Sequence, residues 1–294
     1  MAKQKKKGLL SVGTIRLLTQ CVVACLCNGY LKGLLHGKIY TGKLKVLCVP
    51  GMNCYSCPGA LGACPMGSLQ SALAANQYRS VLYVLGFLTV FGTLCGRMVC
   101  GFLCPFGLVQ DLIYRIPFFK KIKRLPGERA LRLLRALLLV GFVVLLPLFA
   151  VDAFGLSDPW FCKYVCPVGT LEAGIPLVLS NPSLQAAVGW LYAWKLVILG
   201  VILALSLLLY RPFCRYLCPL GLLYGFFNRF ALYRYQIDET ACIHCGQCQE
   251  SCPMQIDVLK NPNSIDCVRC GRCLDACPTG AIRSSLTSCL KKEK

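Results

Sequence analysis

The 294-residue chain is 56% hydrophobic and only 15% charged, with a mean hydropathy of +0.60, where soluble domains carry about 25% charged residues. These values exclude an intrinsically disordered chain and describe a membrane protein. The net charge of +20 comes with 23 cysteines. The odd count and apolar length exclude a secreted disulfide scaffold, and no aromatic-basic module marks a nucleic-acid binder.

In chain order, four apolar segments read as membrane spans of roughly 20 residues: Leu9–Tyr30, Tyr78–Leu94, Leu131–Val151 and Val188–Tyr210. Arg16 and Gln20 interrupt the first, and Arg16 is expected to snorkel to the interface. A lipoprotein-like box ends at Cys25, but Arg16 in the apolar core favours an uncleaved helix. Basic residues near the span ends divide 15 against 5, which sets both termini in the cytoplasm. Lys195 is expected to snorkel, and the basic cluster Lys120, Lys121, Lys123 and Arg124 to anchor lipid headgroups or dock a redox partner. Glu172 and Asp152 read as interfacial carboxylates, with proton carriage beside a quinone as the other reading.

A Cys-Pro-x-Gly motif occurs four times between and after these spans, at Cys64, Cys104, Cys166 and Cys218. Cys100, Cys162 and Cys214 stand four residues before the last three copies, whereas Ala60 replaces that cysteine in the first, with Cys57 and Cys54 upstream. Span order sets the first and third copies at the outer face and the second and fourth at the inner face. The predicted membrane domain (residues 1–234) is therefore an all-α four-helix bundle of two parallel repeats, residues 9–125 and 126–234. Each repeat supplies half of a four-thiolate set. Cys100, Cys104, Cys214 and Cys218 form the inner set; Cys57, Cys64, Cys162 and Cys166 form the outer, with Cys54 as the substitute for Cys57. Each set suits one 4Fe-4S cluster, and a disulfide competes only in the outer set. Pro ends the preceding turn, and Gly lets backbone N–H groups approach cluster sulfurs. Arg97 and Arg215 flank the inner motifs, where they either stabilise a −2 cluster or anchor the positive-inside face. Cys21, Cys25, Cys27, Cys48, Cys95 and Cys289 lack the repeated spacing and read as ordinary thiols.

Residues 235–294 contain two tandem C-x2-C-x2-C-x3-C-P runs, the pattern of a small α+β two-cluster bacterial-type ferredoxin. Three closely spaced thiolates wrap one cubane, and the fourth reaches the other. Cys242, Cys245, Cys248 and Cys277 are thus assigned to one cluster, and Cys252, Cys267, Cys270 and Cys273 to the second. Two complete runs leave zinc little room as an alternative.

The block GRMVCGFLCPFGLVQDLIYR (Gly96 to Arg115), FCRYLCPLGLLYG (Phe213 to Gly225) and the tandem runs together resemble the NapH/NosR-type polytopic membrane ferredoxins, over about residues 80 to 285. The resemblance implies an electron carrier of anaerobic respiration, working between the quinol pool or cytoplasmic donors and partners across the membrane. Outer cysteines at Asn53–Gln70 and Asp158–Gly174 depart from the nitrate-reductase type and favour a wire reaching the outer face. The expected function is a transmembrane relay between the cytoplasmic ferredoxin module and an extracytoplasmic redox partner, in a multi-pass protein of the bacterial cytoplasmic membrane. The alternatives are a quinol dehydrogenase component and a metal-ion reductase or assembly factor. The expected cofactors are two to four 4Fe-4S clusters; membrane lipid, redox proteins on both sides, a flavoprotein and quinone are the candidate partners.

Overall fold

The computed structural model describes residues 12–117, 121–123, 125–153 and 156–285. Lys120, Arg124, Cys289 and the N-terminal lysines lie outside the described residues. Among the described residues, three helices are long and apolar enough to cross a membrane: Tyr78–Cys95, Ala130–Phe149 and Trp190–Leu208. Only 17%, 22% and 17% of their spanning windows are buried inside the protein. The remainder presents Leu82, Leu85, Val90, Leu137, Val140, Val197 and Val201 outward, an apolar belt suited to lipid. Exposed Trp190 and stacked Trp194 stand at one end, where amphipathic rings favour a headgroup interface.

The described part of the first predicted span is the helix Val12–Cys27, which turns Arg16 and Gln20 into the interior. Arg16 does not snorkel. It pairs with Asp111 at 3.2 Å and donates to the Tyr210 hydroxyl at 2.7 Å. The charge is retained inside because the Pro105–Arg115 helix, against which Val12–Cys27 packs, supplies its counter-ion.

Each Cys-Pro-x-Gly motif starts a helix. Cys64, Cys104, Cys166 and Cys218 are extended N-cap residues, and the following Pro occupies the first turn, where its missing N–H costs nothing. The first motif helix, Pro65–Ala74, turns at Asn76 (φ 54°) and packs along Tyr78–Cys95. At 1.5 Å per residue the two run about 15 and about 27 Å, so Cys64 lies partway along the span, not at its outer end. Pro167–Ser180 packs likewise beside Trp190–Leu208. The other two motif helices cross over: Pro105–Arg115 packs on Trp190–Leu208, and Pro219–Phe227 on Tyr78–Cys95. Two stretches, Leu138–Leu145 and Thr170–Gly174, widen to π-helix just before Pro147 and Pro176. A proline cannot donate to the i−4 carbonyl and its ring crowds that oxygen, so the ladder shifts register ahead of it.

The C-terminal module is closed by an antiparallel pair, β1 (Tyr235–Ile237) and β2 (Ile282–Ser284), in register Tyr235 to Ser284. Its two halves repeat locally: His244 and Arg269 have φ of 50° and 52°, and Gly246 and Gly271 of 74° and 80°, at matching places in the two runs. The module is seated on the helical domain by buried polar ties. Asn228 Nδ2 donates to the Ser264 and Cys267 carbonyls at 2.8 and 2.9 Å, and Arg269 donates to the Cys95 and Asn228 carbonyls, both at 2.8 Å. Arg97 reaches the Ile265 carbonyl at 2.9 Å. Asp266 is surrounded by Arg97, Arg132 and Arg135. Burial alone would raise its carboxyl, but the three guanidinium groups hold it below the usual carboxylate range.

Two glycines make this seat possible. A Cβ on Gly101 would stand 2.4 Å from the Val268 carbonyl oxygen, and one on Gly225 the same distance from that of Ile265. Gly101→Ala and Gly225→Ala are each expected to cost about 1–3 kcal/mol by overpacking. Limited proteolysis should release the ferredoxin module faster from these variants than from the wild type, whereas Gly86→Ala, which meets no atom within 4 Å, should behave as wild type.

Candidate iron-sulfur centres

The cysteines gather around four cavities. Cys242, Cys245, Cys248 and Cys277 line one, and Cys252, Cys267, Cys270 and Cys273 the next, each run lending its fourth cysteine to the other. Cys100, Cys104, Cys214 and Cys218 line a third, closed by Phe106, Phe213 and Leu220. Cys64, Cys162 and Cys166 line the fourth, a larger cavity of about 390 Å³.

The fourth thiol lining that last cavity is Cys54, the expected substitute, and not Cys57. Glu172 Oε2 accepts the Cys54 N–H at 2.7 Å and fixes Cys54 in the cavity wall. Cys57 closes the following turn onto the Cys54 carbonyl at 3.0 Å and turns its sulfur to Asn28 Oδ1, 3.7 Å away. The segment there is irregular, so spacing gave no guide to which thiol faces inward.

These sites fit clusters better than isolated thiols. Among the described residues no three His, Cys, Asp or Glu side chains close around a single metal ion; the thiols ring cavities instead, four to each, as a cube held by four thiolates requires. Burial pushes the Cys100 thiol up to about 11 and the Cys267 thiol up to about 12, so bare thiolates are disfavoured there. In every motif the Gly N–H points back at its own cysteine sulfur: Gly67 to Cys64, Gly107 to Cys104, Gly169 to Cys166 and Gly221 to Cys218, the last at 3.3 Å. A Cβ on Gly67 would press on the Tyr55 ring at 3.0 Å, and one on Gly169 would lie in ordinary contact with Cys54 Sγ at 3.5 Å.

The four cavities are neighbours in a row. The two ferredoxin sites share the chain through Cys248–Cys252 and Cys273–Cys277. Val268, in the wall of the second, presses its carbonyl on Gly101, next to Cys100 of the third. Met52 lines both the third and the fourth. Its backbone N–H faces the Cys104 sulfur, and its Sδ lies 3.7 Å from Cys64 Sγ. The inner and outer thiol sets are therefore separated by the thickness of one residue, not by the membrane. Met52 lies in no repeated motif, which is why sequence reasoning passed over it.

Other expected roles change. Arg97 and Arg215 are fully buried and not surface anchors. Arg97 donates to the Cys214 carbonyl at 2.6 Å, and Arg215 pairs with Glu128. Arg211, also fully buried, donates to the Cys100 carbonyl at 2.5 Å and chelates Asp111 at 2.8 and 2.5 Å. Lys195 lines the outer cavity and donates to the Cys162 carbonyl at 3.1 Å. Glu172 is half-buried and bonded, not a solvated carboxylate. Asp152 accepts the Leu156 N–H at 3.0 Å in an exposed turn. The described cysteines outside these sets, Cys21, Cys25, Cys27, Cys48, Cys57 and Cys95, line none of the four cavities.

Known proteins bear on these sites. A 4Fe-4S binding domain model matches residues 79–126, 133–176 and 191–234, each match running from a span into the motif after it, and a 4Fe-4S dicluster domain model matches 241–282. The chain is 30% identical to the uncharacterized protein MJ0749 of Methanocaldococcus jannaschii, over 69% of this chain and 71% of that one. It is 29% identical to the methylamine utilization ferredoxin-type protein MauN of Paracoccus denitrificans (84% and 79%), and 27% to the ferredoxin-type protein NapH of Haemophilus influenzae (65% and 60%). No solved structure matches.

Proposed function

Because this chain belongs to the NapH/NosR-type 4Fe-4S ferredoxin family, we propose that it relays electrons across the membrane between its ferredoxin module, on the cytoplasmic side, and an extracytoplasmic redox partner in anaerobic respiration. It is an iron-sulfur electron-transfer protein of the membrane with multiple 4Fe-4S clusters. The observation that carries the transmembrane reading is the unbroken row of four four-thiol cavities, with Met52 and Val268 as the partitions.

The ligand sets are Cys242, Cys245, Cys248 and Cys277; Cys252, Cys267, Cys270 and Cys273; Cys100, Cys104, Cys214 and Cys218; and Cys54, Cys64, Cys162 and Cys166. A 4Fe-4S cluster in such a set supplies a reversible one-electron centre. The protein's own contribution is threefold. The motif glycines turn N–H donors toward sulfur, which favours added negative charge. The aromatic and aliphatic walls at Phe106, Phe213 and Leu220 exclude water from the inner site. Arg97 and Arg211 hold the carbonyls of the inner-site residues Cys214 and Cys100, and Arg269 ties the ferredoxin module to the Cys95 carbonyl. The shared basic side and the contact of Val12 with Gly271 support cytoplasmic placement of both the N-terminal helix and the ferredoxin module.

A second reading, a quinol dehydrogenase component, has one observation in its favour: the outer cavity of about 390 Å³ is in the range of small-molecule sites, whereas the inner one is about 10 Å³. One experiment separates them. In sealed vesicles with the ferredoxin module outside, an impermeant reductant in the medium should reduce an impermeant acceptor in the lumen, and Cys100→Ser should abolish this. Absence of transfer by the wild type overturns the relay; transfer that requires added quinone selects the second reading.

A further inference from the structure

The sixth residue after each motif cysteine is Gln70, Gln110, Glu172 or Tyr224. All four reach out of their own motif. Glu172 takes the N–H of Cys54 at 2.7 Å, and the Tyr224 hydroxyl donates to the Pro50 carbonyl at 3.1 Å, so these two hold the segment that runs between the inner and outer sites. The two glutamines make a different and repeated contact. Both are fully buried. Gln70 accepts the Phe161 N–H on Oε1 at 2.9 Å and directs Nε2 to Cys162 Sγ at 3.4 Å. Gln110 accepts the Phe213 N–H at 3.2 Å and directs Nε2 to Cys214 Sγ at 3.3 Å. In each case the amide bridges to the residue before, and the sulfur of, the leading cysteine of a motif about a hundred residues away.

The orientation of each amide is dictated by its partners. A backbone N–H can only donate, so the carbonyl oxygen must face Phe161 or Phe213, and the NH2 group must then face sulfur. Those backbone N–H groups open the short helices Trp160–Tyr164 and Pro212–Tyr216, so the glutamine oxygen satisfies a donor that such a helix leaves free. One side chain thus locks the approach of a helix and points a proton at its first thiol, and it does so at both membrane sites.

We propose that Gln70 and Gln110 are positioning residues of the outer and inner clusters, each setting the place of one ligand sulfur, Cys162 or Cys214, and raising that cluster's reduction potential through an N–H donor to it. The inference rests on the ligand sets given above. A donor to a cluster sulfur stabilises the more negative, reduced state, so its loss shifts the equilibrium toward oxidation.

Gln→Glu keeps the oxygen that receives the Phe N–H and puts an acceptor oxygen in place of the NH2 group, which donates to sulfur and also to the Met66 carbonyl at 3.2 Å or the Phe106 carbonyl at 3.5 Å. In EPR-monitored redox titrations, Gln70→Glu should lower the outer cluster's potential and leave the other three unchanged, and Gln110→Glu should do the same to the inner one. The expected change is about tenfold in the reduction equilibrium, about 59 mV for one electron. Gln70→Leu and Gln110→Leu lose both contacts and should also lower the iron content by about four at the matched site only. Loss of only the matched cluster in the Glu variants likewise supports the assignment. Unchanged potentials, an equal shift in all clusters, or loss of the ferredoxin clusters as well would overturn it in favour of a general packing role. A wild-type protein with only about eight irons overturns the ligand reading and this inference with it.

Discussion

Purified without oxygen in detergent, the protein is expected to hold about sixteen irons per chain with matching acid-labile sulfide, four for each four-thiol cavity. Cys64→Ser and Cys166→Ser should each remove about four, because either change leaves a cube with three thiolates in a site whose surroundings disfavour any other charge. The sharper test is the pair Cys54→Ser and Cys57→Ser. Cys54 stands in the wall of the outer cavity with its N–H held by Glu172, whereas Cys57 faces Asn28. Only the Cys54 variant should lose iron. About twelve irons in the wild type, insensitive to Cys64 and Cys166, would reduce the outer set to free thiols or a disulfide. A loss in Cys57→Ser with none in Cys54→Ser would reverse the ligand choice.

What could be read from the sequence depended on how local the determinant is. The two ferredoxin runs carry three ligands within seven residues, and their cavities draw together the cysteines that the spacing implies. The inner set needed only a repeated motif, and its four cysteines share the cavity closed by Phe106 and Phe213. In the outer cavity Cys54 stands where spacing preferred Cys57, because the two belong to an irregular turn in which Glu172, far away in sequence, holds Cys54. Charge was misread for a related reason. Hydropathy treats Arg16, Arg97 and Lys195 as groups seeking water, yet each has a partner inside: Asp111, the Cys214 carbonyl and the Cys162 carbonyl. The depth of the outer motif was hidden too, since nothing in a 10-residue helix announces that it doubles back beside the following span. That doubling back removes the difficulty of a roughly 30 Å gap between sites at opposite faces.

The second large effect is expected at Asp111, the counter-ion of both Arg16 and Arg211. All three side chains are buried, and Arg211 also donates to the Cys100 carbonyl. Asp111→Leu would leave two guanidinium groups unpaired in the interior, a change that typically costs about 3–5 kcal/mol, and would release the carbonyl of an inner-site ligand. Loss of the inner cluster and a much lower thermal midpoint in detergent should follow. Arg16→Met should cost less, because it loses the Tyr210 contact and one of the two Asp111 ion pairs while Asp111 keeps Arg211 and no guanidinium is left unpaired. The pH dependence has a definite sign. Burial would raise the Asp111 carboxyl, but Arg211 and then Arg16 outweigh it and hold it below its usual value. A depressed folded value means that the stabilisation is present above the unfolded carboxylate range and is lost as pH falls through the folded one. The advantage of wild type over Asp111→Asn should therefore be full at neutral pH and shrink only in acid below about 4. Equal sensitivity to Asp111→Leu and Arg16→Met, or an advantage that grows on acidification, would show that the carboxylate is not the hub of this charge cluster.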